Sequence, residues 1–224
     1  MSIKLVVFDM AGTVIDEQNL VYKTIRQAIV SAGYVCDLDT VLAIAAGKEK
    51  RQAIVDVLTY LTDDEPLDDL IDKIYETFKQ ELDIVYQSGL VKAMADAERV
   101  FDELRKKNIK IALNTGYNRS MAKLILSQVG WIVPLHFDVL VTASDVDSGR
   151  PNPDMILNAM AQLAIENLSY VVKVGDSAVD ILEGKNAECG ITVGVTTGAQ
   201  NREQLAAAKP TYIFDSLLDL LKYV

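Results

Sequence analysis

Short apolar runs rich in β-branched residues recur along this chain at Ile3–Phe8, Ile109–Asn114, Phe137–Thr142, Tyr170–Gly175, Ile191–Thr196 and Thr211–Asp215. Runs of this length without polar alternation predict strands buried on both faces. Between the later runs, Asp96–Lys107, Asn118–Val129, Pro153–Ala164 and Asp180–Ala187 carry apolar residues at helical spacing. Strands alternating with helices predict an α/β fold, a parallel sheet with helices on both faces. Residues 16–92 break the rhythm. Asn19–Ala32, Leu38–Ala45, Glu49–Leu61 and Leu67–Tyr86 all read as helices with no strand between them. This predicts an all-helical insertion at 16–92 in a core formed by 1–15 and 93–224. Gly89 and its polar neighbours read as the return linker, and Val14–Gln18 and Ser88–Val91 as hinges.

The chain has 224 residues, half of them hydrophobic and 24% charged, enough for a sizeable core. No apolar run reaches the ~20 residues of a membrane span. The start of the chain passes directly into a strand-like segment, so no signal peptide is expected, and two cysteines are too few for a disulfide framework. A cytoplasmic protein with reduced thiols is the expectation. A net charge of −10 argues against nucleic-acid or anionic-membrane partners. An anionic ligand would then need local positive charge, which a divalent cation and one or two basic side chains supply.

In open parallel sheets the ligand lies beyond the carboxyl ends of the strands, and four polar clusters fall there. Asp9-Met10-Ala11-Gly12-Thr13 follows the first strand; a carboxylate at that point can attack phosphorus, though an Asp there also serves as a turn or capping residue. Thr115-Gly116 follows Ile109–Asn114 and suits an anionic oxygen or, equally, a helix N-cap. In Ser148-Gly149-Arg150-Pro151-Asn152-Pro153 the prolines stiffen a loop from which Arg150 projects, toward a phosphoryl group or toward solvent. Gly175-Asp176-Ser177-Ala178-Val179-Asp180 places two carboxylates four apart, where they complement a helix dipole or, with Asp9, make an oxygen ligand set for Mg²⁺. Three converging acids repel strongly without a cation, which favours the metal. His136, the sole histidine, and Trp131 read as structural.

These clusters, in this order, resemble the haloacid dehalogenase superfamily across essentially the whole chain. The resemblance implies a Rossmann-like, doubly wound parallel sheet core with an inserted all-helical cap domain. It implies Asp9 as nucleophile, Thr115 as a phosphoryl-oxygen ligand, Arg150 in the basic position, and Mg²⁺ held by Asp9, Asp176, Asp180 and the backbone carbonyl of Ala11. Phosphatases of the superfamily carry a general acid where this chain has Ala11, and usually Lys where it has Arg150. Both departures, with Asn114-Thr115-Gly116-Tyr117, Gly149-Arg150-Pro151 and Lys173-Val174-Gly175-Asp176, are similar to the phosphonoacetaldehyde hydrolase (phosphonatase) branch.

In that branch a cap lysine forms a Schiff base with the aldehyde and draws off the electrons of the carbon–phosphorus bond, so no leaving oxygen needs a proton. Lys50 of Gly47-Lys48-Glu49-Lys50 stands at the resembling position; the same string also reads as the solvated start of a charged helix. Gly47, Gly116 and Tyr117 are the expected substrate-binding positions. The resulting expectation is a Mg²⁺-dependent hydrolase of a small phosphonate, with a phosphate-monoester phosphatase or a non-catalytic phospho-metabolite binder as alternatives. The expected partner is a small molecule and, as one option, a second copy of the chain in a homodimer.

Overall fold

The computed structural model describes residues 2–62, 66–87 and 89–224. Its centre is β1 (Leu5–Asp9), every residue of which is buried. Leu5 and Val7 pack on one side of the sheet with Met155, Ile156, Ala159 and Met160 of α7 (Asp154–Gln162). Val6 and Phe8 face the other side, where the Phe8 ring meets Phe101 of α5 (Ala97–Lys106) at 5.5 Å between centroids. A strand covered on both faces has no place for polar alternation, hence its continuous apolar sequence. Each such side chain contributes ~1.5–3 kcal/mol on burial.

Six strands run parallel in the order β5-β4-β1-β6-β7-β8: β4 (Lys110–Thr115), β5 (Val139–Thr142), β6 (Val171–Gly175), β7 (Ile191–Val195) and β8 (Tyr212–Phe214) join β1. The remaining core helices are α6 (Arg119–Gln128), α8 (Ala178–Asn186) and α9 (Arg202–Ala207). From β1 the chain builds outward through β4 to β5, then returns to the opposite side of β1 for β6, β7 and β8. Strand order therefore reverses at β1, where doubly wound sheets open a crevice. Register lines up the ends of three strands, Asp9 with Asn114 and Phe8 with Val174, so the residues that follow them share one rim.

Between β1 and the rest of the sheet lie α1 (Leu20–Ser31), α2 (Leu38–Ala45), α3 (Lys50–Thr62) and α4 (Asp68–Tyr86). In α4, Ile71, Ile74, Phe78, Leu82 and Tyr86 form one buried stripe, which packs against Val21, Ile25, Ala28 and Ile29 of α1 in the same core cluster. The two chain crossings differ from the expected plain linkers. They pair as a short antiparallel ladder, β2 (Ile15–Asp16) against β3 (Lys92–Ala93), continued by the Met94 N–H donating to the Val14 carbonyl at 2.8 Å. Adjacent polar crossings satisfy each other's backbone groups this way, a pairing that two isolated segments do not announce. Ser88, part of the expected second hinge, lies outside the described residues.

Cys36 and Cys189 are free thiols. His136 Nδ1 accepts from the Ile132 N–H at 3.1 Å, in the loop between α6 and β5. Among the described residues no helix is long and apolar enough to cross a membrane.

Candidate active site

At the rim where β1, β4 and β6 end, the carboxylates of Asp9, Asp176 and Asp180 each place an oxygen within 4.8 Å of the others, all buried. The backbone makes this approach possible. Gly12 turns at φ 80°, and a Cβ there would lie 2.3 Å from Asp176 Oδ2; one on Gly198 would lie 2.0 Å from the same oxygen. Asp176 Oδ2 accepts from the Ala199 N–H at 2.6 Å, and Asp180 Oδ2 from the Ser177 hydroxyl at 2.5 Å. Asp180 Oδ1 lies 3.0 Å from both Arg150 Nη1 and Lys173 Nζ, within ion-pair range, but lacks an aligned hydrogen bond.

Burial is the main force on these acids. It lifts Asp176 well above the usual carboxylate range, with the neighbouring Asp9 and Asp180 charges adding to the rise. It lifts Asp9 as well, against the pull of Arg150. Asp180 is equally buried, yet Arg150 and Lys173 together outweigh that cost and hold it below its ordinary value. Among the described residues five buried carboxylates, Glu17 and Glu183 with the three aspartates, stand against three buried cations, Lys50, Arg150 and Lys173, leaving an excess of two negative charges when all are ionised. One divalent cation on hard oxygen ligands matches that excess and the unaligned Asp180 oxygen.

Arg150 is held rather than solvated, with its side chain 1% exposed. Nη1 reaches Asp9 Oδ1 at 2.7 Å, Nε donates to Glu183 Oε2 at 2.9 Å, and Nη2 donates to the carbonyl and Oδ1 of Asn114 at 2.9 and 2.6 Å. Lys173 Nζ lies 2.6 Å from Asn114 Oδ1 and 3.0 Å from Glu183 Oε2, and Asn114 Nδ2 donates to Glu183 Oε1 at 2.8 Å. Sequence reasoning assigned no role to Lys173, Glu183 or Asn114. The available signals were a lysine inside an apolar strand and an acid one helical turn beyond Asp180; buried charges persist only when paired in this way.

Thr115 ends β4 and is buried; its hydroxyl accepts from the Tyr117 N–H at 3.2 Å. It is not the cap of α6, a place taken by Asn118, whose side chain accepts from the Met121 N–H at 2.9 Å.

The loop between α2 and α3 descends onto this rim. Gly47, at φ 73°, donates its N–H to the Tyr22 hydroxyl at 3.0 Å, and a Cβ on it would stand 2.3 Å from the Ser177 hydroxyl. A Cβ on Gly116 would stand 2.8 Å from the Lys48 carbonyl. Both glycines mark places where the helical insert and the sheet rim touch through backbone. Lys50 is only 6% exposed, which rules out the solvated helix start. Its Nζ donates to the Lys48 carbonyl at 2.7 Å and sits over the rings of Tyr117 and Tyr22, 5.0 and 5.6 Å from their centroids. Burial pushes the Lys50 ammonium below its ordinary pKa, while the charge of Asp9 draws it back. A cavity of about 20 Å³ remains beside Lys50, bordered by Phe78, Leu82, Gly116 and Tyr117.

A phosphonoacetaldehyde hydrolase of Latilactobacillus sakei is 31% identical over 210 residues, covering 86% of this chain and 75% of that protein. A Caldanaerobacter subterraneus protein that bears the name of a pyrophosphatase is 28% identical over all of this chain and 96% of its own length. A hydrolase from Pseudomonas syringae superposes with a TM-score of 0.85 at 20% identity, covering 98% of this chain and 97% of that one, and so shares the fold. The family model for haloacid dehalogenase-like hydrolases matches residues 3–188, and the chain belongs to that family.

Proposed function

We propose that this protein is a Mg²⁺-dependent hydrolase of a small phosphonate of the phosphonoacetaldehyde type, acting through an aspartyl-phosphate on Asp9. The observation that carries this reading is Lys50: a buried amine over two aromatic rings, near enough to Asp9 to feel its charge, in a chain where Ala11 stands in place of the acid a phosphate ester would require. Residues 16–92 act as a cap over a core of 1–15 and 93–224, and motion at the β2–β3 ladder opens the way to a closed site in which Asp9 is 5% exposed.

The phosphonyl oxygens are held by Thr115 and by Arg150, whose guanidinium keeps the direction that Glu183 and Asn114 give it. Asp9, Asp176, Asp180 and the Ala11 carbonyl would hold Mg²⁺, which would supply charge neutralisation at the phosphorus oxygens. Neutral Lys50 forms an imine with the substrate aldehyde. Asp9 attacks phosphorus and the carbon–phosphorus electron pair flows into the protonated imine, leaving an enamine on Lys50; this takes a proton at carbon and is hydrolysed to acetaldehyde and the free amine, while water releases phosphate from Asp9. Gly47, Gly116 and Tyr117 form the wall that excludes water from the first step.

The test is Mg²⁺-dependent release of phosphate and acetaldehyde from phosphonoacetaldehyde, with borohydride trapping the substrate carbon on Lys50. The relative bearing a pyrophosphatase name supports a second reading, phosphate-monoester or anhydride hydrolysis. Turnover of phosphate esters that persists in Lys50→Ala, with no trapped adduct in the unaltered protein, would establish that reading instead. Under the first reading, Ala11→Asp gains phosphomonoesterase activity by supplying the missing acid.

A further inference from the structure

One buried acid beside the site takes no part in the chemistry above. Glu17 follows β2, is 2% exposed, and makes no ion pair among the described residues. Its Oε2 accepts from the Val21 N–H at 2.9 Å and from the Tyr86 hydroxyl at 3.2 Å. The Tyr86 hydroxyl lies 2.8 Å from that of Tyr117, and the Tyr117 ring is the nearer of the two on which the Lys50 amine rests. A continuous line of hydroxyls thus runs from Glu17 to the edge of the Lys50 enclosure. The charged and titratable groups facing that enclosure are Tyr22 from α1, Glu49 before α3 and Lys50 at its start, Tyr75, Lys79 and Tyr86 from α4, Tyr117 after β4, and Asp9 with Arg150 at the rim.

We propose that Glu17 is the proton partner of Lys50, joined to it by the Tyr86–Tyr117 hydroxyl pair; this rests on the imine reading and deepens it. On turning from the Lys48 carbonyl, its hydrogen-bond partner in this structure, to the Tyr117 hydroxyl, the ammonium of Lys50 gives one proton through the two hydroxyls to the Glu17 carboxylate. The neutral amine adds to the aldehyde carbon, forming the carbon–nitrogen bond, and its second proton moves to the former carbonyl oxygen. Glu17 then returns its proton to that hydroxyl, which leaves as water while the carbon–nitrogen double bond closes to an iminium. Glu17 ends as it began, a carboxylate. Burial lifts its pKa to about 7, with the charge of Lys50 opposing the rise, and burial lowers that of Lys50, so burial on both sides narrows the gap between the two placements of the proton.

Glu17→Gln keeps the shape and the acceptor for the Val21 N–H but cannot carry the proton. The experiment is single-turnover borohydride trapping of phosphonoacetaldehyde on Lys50, followed across the pH range around 7 in the full-length protein with Mg²⁺. In the unaltered protein the trapping rate rises with pH through a midpoint near 7. In Glu17→Gln the rate falls by about 10²-fold, the scale of general acid–base assistance, and the midpoint near 7 disappears. Tyr86→Phe breaks the hydroxyl line without touching Glu17; it slows trapping as well, and it serves as the deciding variant should the glutamine protein not fold. Trapping in either variant at the unaltered rate and midpoint overturns the role of Glu17 and leaves the imine standing. Absence of any adduct in the unaltered protein overturns both.

Discussion

Arg150 Nη1 lies 2.7 Å from Asp9 Oδ1 across 141 residues of sequence, both side chains nearly without solvent exposure. The same guanidinium is anchored by Glu183 and Asn114 on its remaining edges, so its direction is fixed before any substrate arrives. Such preorganisation spares the reaction the cost of orienting a positive charge toward the developing one.

Removing that guanidinium strands Asp9, Asp180 and Glu183 as buried charges lacking one partner. Arg150→Ala is expected to lower the unfolding free energy by about 3–5 kcal/mol, measured by urea denaturation. Arg150→Lys retains charge but cannot span Asp9, Glu183 and Asn114 together, and loses turnover while recovering part of the stability.

The three rim carboxylates predict a strong link between metal and stability. Saturating Mg²⁺ should raise the unfolding midpoint, with about 2.7 kcal/mol gained when the ion is present at 100 times its dissociation constant. Asp176→Asn should abolish that gain. In the absence of metal it should also stabilise the protein, because it removes one of three mutually repelling acids. Thermal melts with and without Mg²⁺ check both outcomes.

Glu17 should leave a mark on the pH dependence of stability. Its pKa rises from 4.5 in the unfolded chain to about 7 in the folded one, so the folded state binds the proton more tightly. Its contribution is therefore complete below pH 4.5 and is lost as pH climbs through about 7. The loss amounts to roughly 3 kcal/mol over that window. Glu17→Gln should flatten the slope between those limits, and urea titrations of the two proteins at a series of pH values measure the difference.

Gly47 meets Ser177 so closely that a methyl group has no room. Gly47→Ala should hold the α2–α3 loop away from the rim, raise KM more than it lowers stability, and increase labelling of Lys50 by amine-reactive reagents. Unchanged KM and unchanged labelling would show that the loop is not seated on the rim in solution.

Much of this was legible along the chain. The apolar runs fixed six strands to within a residue or two, and helical spacing separated the insert from the sheet, because both periodicities are local consequences of backbone geometry. Asp9, Thr115, Arg150, Asp176 and Asp180 could be singled out as candidates because each stands at or near the end of such an element, on the side where a parallel sheet gathers its ligands.

What sequence could not decide was which charges leave water. Lys50 and Arg51 are adjacent and alike on paper; in the fold Lys50 is enclosed by Tyr22 and Tyr117, and Arg51 pairs with Asp68 and Asp72 at the surface. Lys173, Glu183 and Asn114 form one network only because β4, β6 and α8 meet there. Glu17 and Tyr86 stand 69 residues apart and touch only when the two crossings to the insert pair. Hydrophobic period is written in neighbouring residues and survives in one dimension. The protonation and pairing of a buried charge depend on every group within a few ångströms, and those neighbours are assembled only by the tertiary structure.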